Sequence, residues 1–172
     1  LAVLTLYQGR IRQIASGLLG KSPQGRNLLR NLMLSFIPAA VIGLLFNRAI
    51  KEVLFGIWPV VFSWLVGGLA IILISRSWKN TDSESLAGLE TMKPMQALTI
   101  GLLQCVAMWP GTSRSLMTIV GGRITGLCMA ASVEYSFLLG LITLGAATAY
   151  EGLKSYHLIV SNFGSFTVVL SK

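Results

Sequence analysis

Six consecutive residues, Pro110, Gly111, Thr112, Ser113, Arg114 and Ser115, concentrate polar chemistry inside an otherwise apolar stretch from Gln104 to Gly122. Pro-Gly stops a helix, and Thr112 or Ser113 can cap the next one, whose first N–H groups then point into the gap with a partial positive charge. Anions bind such helix ends. Arg114 adds a planar guanidinium whose fork matches phosphate oxygens. The hydroxyls of Thr112, Ser113 and Ser115 complete a cradle for a phosphate or a carboxylate. The residues alone leave a second arrangement open, in which Arg114 forms a structural ion pair with Glu134 and the hydroxyls only cap a helix.

The elements that must position this segment belong to a membrane protein. Of the 172 residues, 53% are hydrophobic and 12% charged, against about 25% charged in soluble domains. Mean hydropathy is +0.71. A soluble fold needs more polar surface than 14 Lys and Arg and 6 Asp and Glu supply. The net charge of +8 is scattered between apolar runs rather than gathered in a basic stripe with interleaved aromatics, which argues against nucleic acid as a partner. Cys105 and Cys128 sit in apolar segments without a CxxC or a neighbouring histidine, so they read as small buried hydrophobes and not as a zinc site or disulfide.

Hydropathy predicts an all-α, polytopic transmembrane helical bundle, with spans at about 31–47, 57–75 and 129–150. The first contains Pro38, the second carries tryptophans at its entry, and the third holds Glu134. Arg10, Arg12, Lys21, Arg26 and Arg30, without an acid among them, place the connection from Arg10 to Arg30 in the cytoplasm, and Arg76 to Lys93 on the same side. The link from Arg48 to Glu52 is then an external turn, and His157 reads as a loop residue after the third span. The apolar stubs at both ends read as truncated spans, so residues 1–172 are expected to be a single membrane-domain fragment of a longer protein.

The region from 95 to 127 fits no pair of ordinary spans. Met95–Trp109 gives about 22 Å of helix and Leu116–Leu127 about 18 Å, against a hydrocarbon core of about 30 Å. Two short helices meeting at Pro-Gly predict a re-entrant hairpin, allowed at membrane depth where protein or a water-filled cavity covers the broken backbone. Small residues four apart line both halves, Ala97, Gly101 and Cys105 on one and Thr118, Gly122 and Gly126 on the other. Ser132, Ser136 and Gly140 repeat the pattern on the third span. Such stripes let helix backbones approach closely, within one chain or between copies, so a homo-oligomer stays open.

"QALTIGLLQCVAMWPGTSRS", "SVEYSFLLG", "IPAAVIGLLF" and "LVGGLAIILI" together resemble the bacitracin-resistance type of undecaprenyl-pyrophosphate phosphatase over nearly the whole chain. The resemblance implies a multi-pass enzyme of the bacterial plasma (inner) membrane with two inverted repeats, each bearing a re-entrant pair, this chain carrying half of that fold plus flanking spans. It implies hydrolysis of undecaprenyl diphosphate to the monophosphate and phosphate, recycling the lipid carrier for peptidoglycan synthesis, with a divalent cation, magnesium or calcium. Carried over by motif, Arg114 clamps the diphosphate and Ser113 joins it in catalysis, while Gly111, Thr112, Ser115 and Gln104 bind substrate. Glu134 supports them from behind.

Two positions depart from the family pattern, Leu116 where glycine is usual and Met129 where arginine is frequent. The family's other motif, with paired glutamates, a Pro-x-Ser-Ser-Thr turn and a histidine, has no match, so no metal ligand is identifiable in this sequence. The chain is therefore expected to supply the phosphate-binding half of a site and to be inactive alone. Two rivals follow from the same residues. Inverted-repeat transporters also aim broken helices at anions, and a member with a decayed site would bind a lipid diphosphate without hydrolysing it.

Overall fold

The computed structural model describes residues 7–46, 56–78 and 87–163, with backbone alone at 73, 75, 77–78 and 157–163. The expected external turn from Arg48 to Glu52, the apolar segment 166–170 and the His157 side chain lie outside the described residues.

Six helices make up the described chain: α1 (Gln8–Leu18), α2 (Pro23–Leu45), α3 (Ile57–Trp78), α4 (Pro94–Val106), α5 (Arg114–Ile124) and α6 (Met129–Phe163). A single 3-10 turn, Leu89–Thr91, precedes α4. Among the described residues the one strand-like feature is a parallel bridge between Ala87 and Leu127. The fold is an all-α bundle.

Two starts show how the sequence sets the boundaries. Ser22 is extended and its hydroxyl accepts the Gly25 N–H at 3.2 Å, with Pro23 pre-set for the first turn. So α2 begins at Pro23, well before the expected 31, and the supposed connection from Arg10 to Arg30 is mostly helix. The reason is that Ile11, Ile14 and Leu18 recur at helical spacing between the arginines of α1, and charge density alone hides that. The third helix of the prediction likewise continues to Phe163, so the backbone at His157 is helical rather than a loop.

Contacts divide the chain into Leu1–Leu139 and Gly140–Lys172. In the first unit α2 packs on α1 and α4, and α5 folds back on α4. Gly17 and Gly25 meet where α1 crosses α2, and a methyl group on either would overlap the other helix's backbone. Gly101 lets α4 lie against Ser35 of α2, since a Cβ there would sit 2.7 Å from the Ser35 Cα. Leu32, Ala97, Ile100, Leu138 and Leu139 fill the core with Tyr135, which is fully buried. The Tyr135 hydroxyl lies 2.8 Å from the Asn31 carbonyl, to which it donates, and 2.6 Å from the Ser35 hydroxyl. On the other side, Thr118 and Ser136 join α5 to α6 through their hydroxyls at 2.7 Å. The second unit, where described, is the continuation of α6, largely exposed from Leu144 to Leu153 apart from Ala146.

Among the described residues, Pro23–Leu45 and Met129–Tyr156 are long and apolar enough to cross a membrane, while Ile57–Ile72 and Pro94–Val106 are shorter apolar stretches. At 13 and 11 residues, α4 and α5 are about 20 and 17 Å long, too short for a hydrocarbon core of about 30 Å.

Candidate functional site

The hairpin has a base and a tip. At the base, the Gln96 amide donates to the Thr125 carbonyl at 2.6 Å, and the Ala87 N–H donates to the Gly126 carbonyl at 3.1 Å. The Cys128 N–H returns a bond to the Ala87 carbonyl at 3.0 Å. Pro94 and Ile124 are thus held together. Val106 and Arg114 lie at the opposite end, where the chain reverses.

That reversal is built by local chemistry. The Thr112 N–H donates to the Trp109 carbonyl at 3.1 Å, enclosing Pro110 and Gly111 as the two central residues of a β-turn. Gly111 has φ +97°, which with proline before it defines a type II turn and excludes side chains that avoid the left-handed region. The Thr112 hydroxyl also donates to the Trp109 carbonyl, at 2.7 Å. Ser113 is the N-cap of α5, its hydroxyl oxygen accepting the Leu116 N–H at 3.3 Å and its carbonyl the Met117 N–H at 3.1 Å. Of the two candidate caps, Ser113 does the capping.

Arg114 is the first residue of α5 and half-buried, while Ser113 and Ser115 are exposed beside it. The first N–H groups of any helix lack intrahelical acceptors, and the dipole adds positive character at that end. One turn below, the buried Thr118 hydroxyl lies 3.1 Å from the carbonyls of Arg114 and Ser115. Gln104 is 4% exposed on the last turns of α4, and its Oε1 has no hydrogen-bond partner among the described residues. Its carbonyl accepts the Ala107 N–H at 3.0 Å, so Gln104 sits where the chain leaves α4 for the turn.

Gly111, Thr112, Ser113, Arg114, Ser115 and Gln104 therefore gather at the tip. Glu134 does not join them. Its Oε1 accepts from Arg10 Nε at 2.9 Å, and the same guanidinium reaches Glu90 at 3.4 Å and Gln13 at 3.0 Å. The register of α5 on α6, Thr118 opposite Ser136 and Gly122 beside Ser132, places Glu134 toward the base while Arg114 lies a turn beyond Thr118 toward the tip. The family resemblance implied Glu134 as a support for the Arg114 region, and its charge in apolar surroundings left an ion pair with Arg114 open; the cation it holds, Arg10, lies 124 residues away in the chain.

Two residues that sequence reasoning passed over hold the tip from outside. Ser63 of α3 donates its hydroxyl to the Pro110 carbonyl at 2.8 Å, and Trp109 donates its indole N–H to the Pro59 carbonyl at 3.1 Å. A signal for the first existed, since Ser63 is the lone hydroxyl side chain between Ile57 and Ile74. It is buried on a helix whose Trp58, Phe62, Trp64 and Leu65 are exposed.

The sequence profile of the family described as "Bacitracin resistance protein BacA" matches residues 1–171. The chain belongs to the BacA family.

Its BacA-family relatives include an undecaprenyl-diphosphatase of Sorangium cellulosum, 41% identical over 90% of this chain and 50% of the relative. An undecaprenyl-diphosphatase 2 of Shewanella oneidensis is 40% identical over 92% of the chain and 59% of the relative. An undecaprenyl-diphosphatase of Polynucleobacter necessarius is 38% identical over 99% and 61%. This chain thus spans between half and about three fifths of the length of these relatives. BacA membership and the two long apolar helices make it a membrane protein.

A divalent cation finds no home in the part of the BacA chain described. Among the described residues no group of three or more His, Cys, Asp or Glu side chains could hold a metal, and Glu90 and Glu134 are both spent on Arg10. The donor set among the described residues does not fit such an ion.

Proposed function

We propose that this chain provides the phosphate-binding part of an undecaprenyl-diphosphatase of the bacterial inner membrane. The observation that carries the reading is the tip itself, a type II Pro-Gly turn that delivers a capped helix N-terminus with Arg114 as its first residue. The names of the relatives supply the substrate, an undecaprenyl diphosphate.

In this reading the hairpin enters the membrane without crossing it, and the tip receives the diphosphate head group. Water attacks the terminal phosphorus, the bond to the bridging oxygen breaks, and lipid monophosphate and inorganic phosphate leave. The developing charge lies mainly on phosphoryl oxygens, so positioning and electrostatic stabilisation do most of the work. Arg114 supplies a forked cation and Ser113, whose oxygen already caps α5, still has its hydroxyl proton to donate. Ser115 adds a second hydroxyl, Thr112 stiffens the turn, and Gly111 keeps its backbone open to close approach. Gln104 offers a buried carbonyl oxygen that lacks a donor. Carboxylates and any magnesium or calcium ion would come from the length of the relatives that this chain does not span.

Purified into vesicles with undecaprenyl diphosphate, this chain should release no phosphate above a heat-killed control, whereas a full-length protein carrying it should. Replacing Arg114 with alanine in the latter should abolish release without preventing insertion; sustained release would remove Arg114 from the site.

A further inference from the structure

A type II turn and a type I turn differ by a flip of their central peptide. Here that peptide joins Pro110 to Gly111, and its carbonyl is the one that Ser63 holds at 2.8 Å. Ser63 is 5% exposed, and its single hydroxyl proton is shared between the Pro110 carbonyl and, at 3.0 Å, the Val60 carbonyl of its own helix, the shorter contact being to Pro110. A second strut runs the other way, from the Trp109 indole N–H to the Pro59 carbonyl, one helical turn before Ser63. Between the struts Gly111 lies against Ser63 and the Trp64 ring so closely that a Cβ would stand 2.9 Å from Trp64 Cδ1.

We propose that Ser63 is a positioning residue for phosphoryl transfer, setting the orientation of the Pro110–Gly111 peptide and through it the delivery of Arg114 and the α5 N-terminus. In a trans peptide the N–H points opposite the C=O. A Pro110 carbonyl turned toward α3 therefore turns the Gly111 N–H away from it, to the open side of the turn, as a further donor to a phosphoryl oxygen. Without the serine hydroxyl, glycine permits the flip at low steric cost, the N–H turns inward, and the first residues of α5 lose their fixed approach. Ser63 touches no reacting atom, and the effect reaches the chemistry through the turn. This rests on the phosphate-binding reading of the tip given above.

The test uses a full-length protein that carries this sequence, undecaprenyl diphosphate in detergent micelles, and phosphate release as the readout. Misplacement of a catalytic element by about 1 Å can cost about 100-fold. Ser63→Ala is expected to lower kcat about tenfold with KM within about twofold, and to leave the melting temperature within about 3 °C. Trp109→Phe, which removes only the indole donor, is expected to lower kcat about threefold. A folded Ser63→Ala protein with wild-type kcat, or one altered in KM alone, overturns the proposal. Should Ser63→Ala not fold, Trp109→Phe decides, a fall in kcat supporting the proposal and a wild-type value overturning it. Arg114→Ala in the same assay separates the two readings. If it is inactive while Ser63→Ala is normal, only the role of Ser63 falls; if it is active, the phosphate-binding reading falls whatever Ser63 does.

Discussion

The two ends of the α4–α5 hairpin are made of similar residue types and use them in opposite ways. At the base, polar groups are turned on one another: Arg10 on Glu134 and Glu90, Gln96 on Thr125, and the Asn31 amide on the Met92 carbonyl at 3.0 Å. At the tip, the hydrogen bonds shape the backbone and leave Ser113 and Ser115 exposed. A buried acceptor left unsatisfied costs about 1–3 kcal/mol, and among the described residues one stands at each end, Asn31 Oδ1 at the base and Gln104 Oε1 at the tip, so the contrast rests on the exposed hydroxyls of Ser113 and Ser115. The base spends its polarity on holding the fold, and the tip holds polarity in reserve for something else.

Truncation of the polar side chains at the tip should therefore cost activity more than stability, and substitutions at the base the reverse. The largest effect expected is for Arg114→Ala in a full-length protein, which should abolish phosphate release while the protein still inserts, since removal of a single oxyanion donor alone costs about 100- to 1000-fold. Gly111→Ala comes next, since a Cβ meets Ser63 and Trp64 and the φ of +97° is unfavourable for alanine. A loss of about 100-fold in kcat is expected, and steady-state assays in detergent would measure it.

At the base, Glu134→Ala leaves Arg10 without its main partner. Side-chain exposures of 27% and 19% place this pair among partly sheltered charge-assisted bonds, for which about 2 kcal/mol is reasonable. Chemical denaturation should report that loss while kcat of the folded enzyme holds. The hydrogen bond that the Arg10 guanidinium donates to Glu134 raises it above its ordinary value. A raised cation contributes fully below its unfolded value and is lost only as pH rises through the folded one, so alkaline titration to about pH 10 should leave this contribution intact. The smallest effect is expected for Glu90→Ala, whose 59% exposed side chain makes the bond to Arg10 worth about 0.5 kcal/mol or less. If Glu134→Ala instead removed activity at full stability, the contrast between base and tip would be wrong.

Much of this was legible in the residues. Apolar run length marked α3 and the apolar parts of α2 and α6, the shortfall of two runs marked the hairpin, and Pro110-Gly111 with a serine after it marked the turn and its cap. Gly101 and Gly122 were legible as close-contact positions because small residues recur every fourth place. Gly126 was not, since with φ +91° it ends α5 rather than packing against a neighbour. What stayed hidden was the choice of distant partner. Glu134 pairs with Arg10 across 124 residues and Ser63 with Pro110 across 47, and no local periodicity encodes which charge or hydroxyl a folded chain will bring alongside another. Helix α1 was hidden for a different reason: Arg10 and Arg12 give it the charge of a cytoplasmic loop, and its few apolar residues, Ile11 and Ile14 among them, are too sparse to mark a span.

The crossing of α1 over α2 at Gly17 and Gly25 carries an implication for how this sequence can drift over generations. Most packing partners can trade volume, one shrinking as the other grows. Here neither has anything left to give up, because hydrogen is already the smallest substituent a residue can carry. Each of the two positions is thus closed to change independently, and a relative bearing alanine at either one must have moved the helices apart.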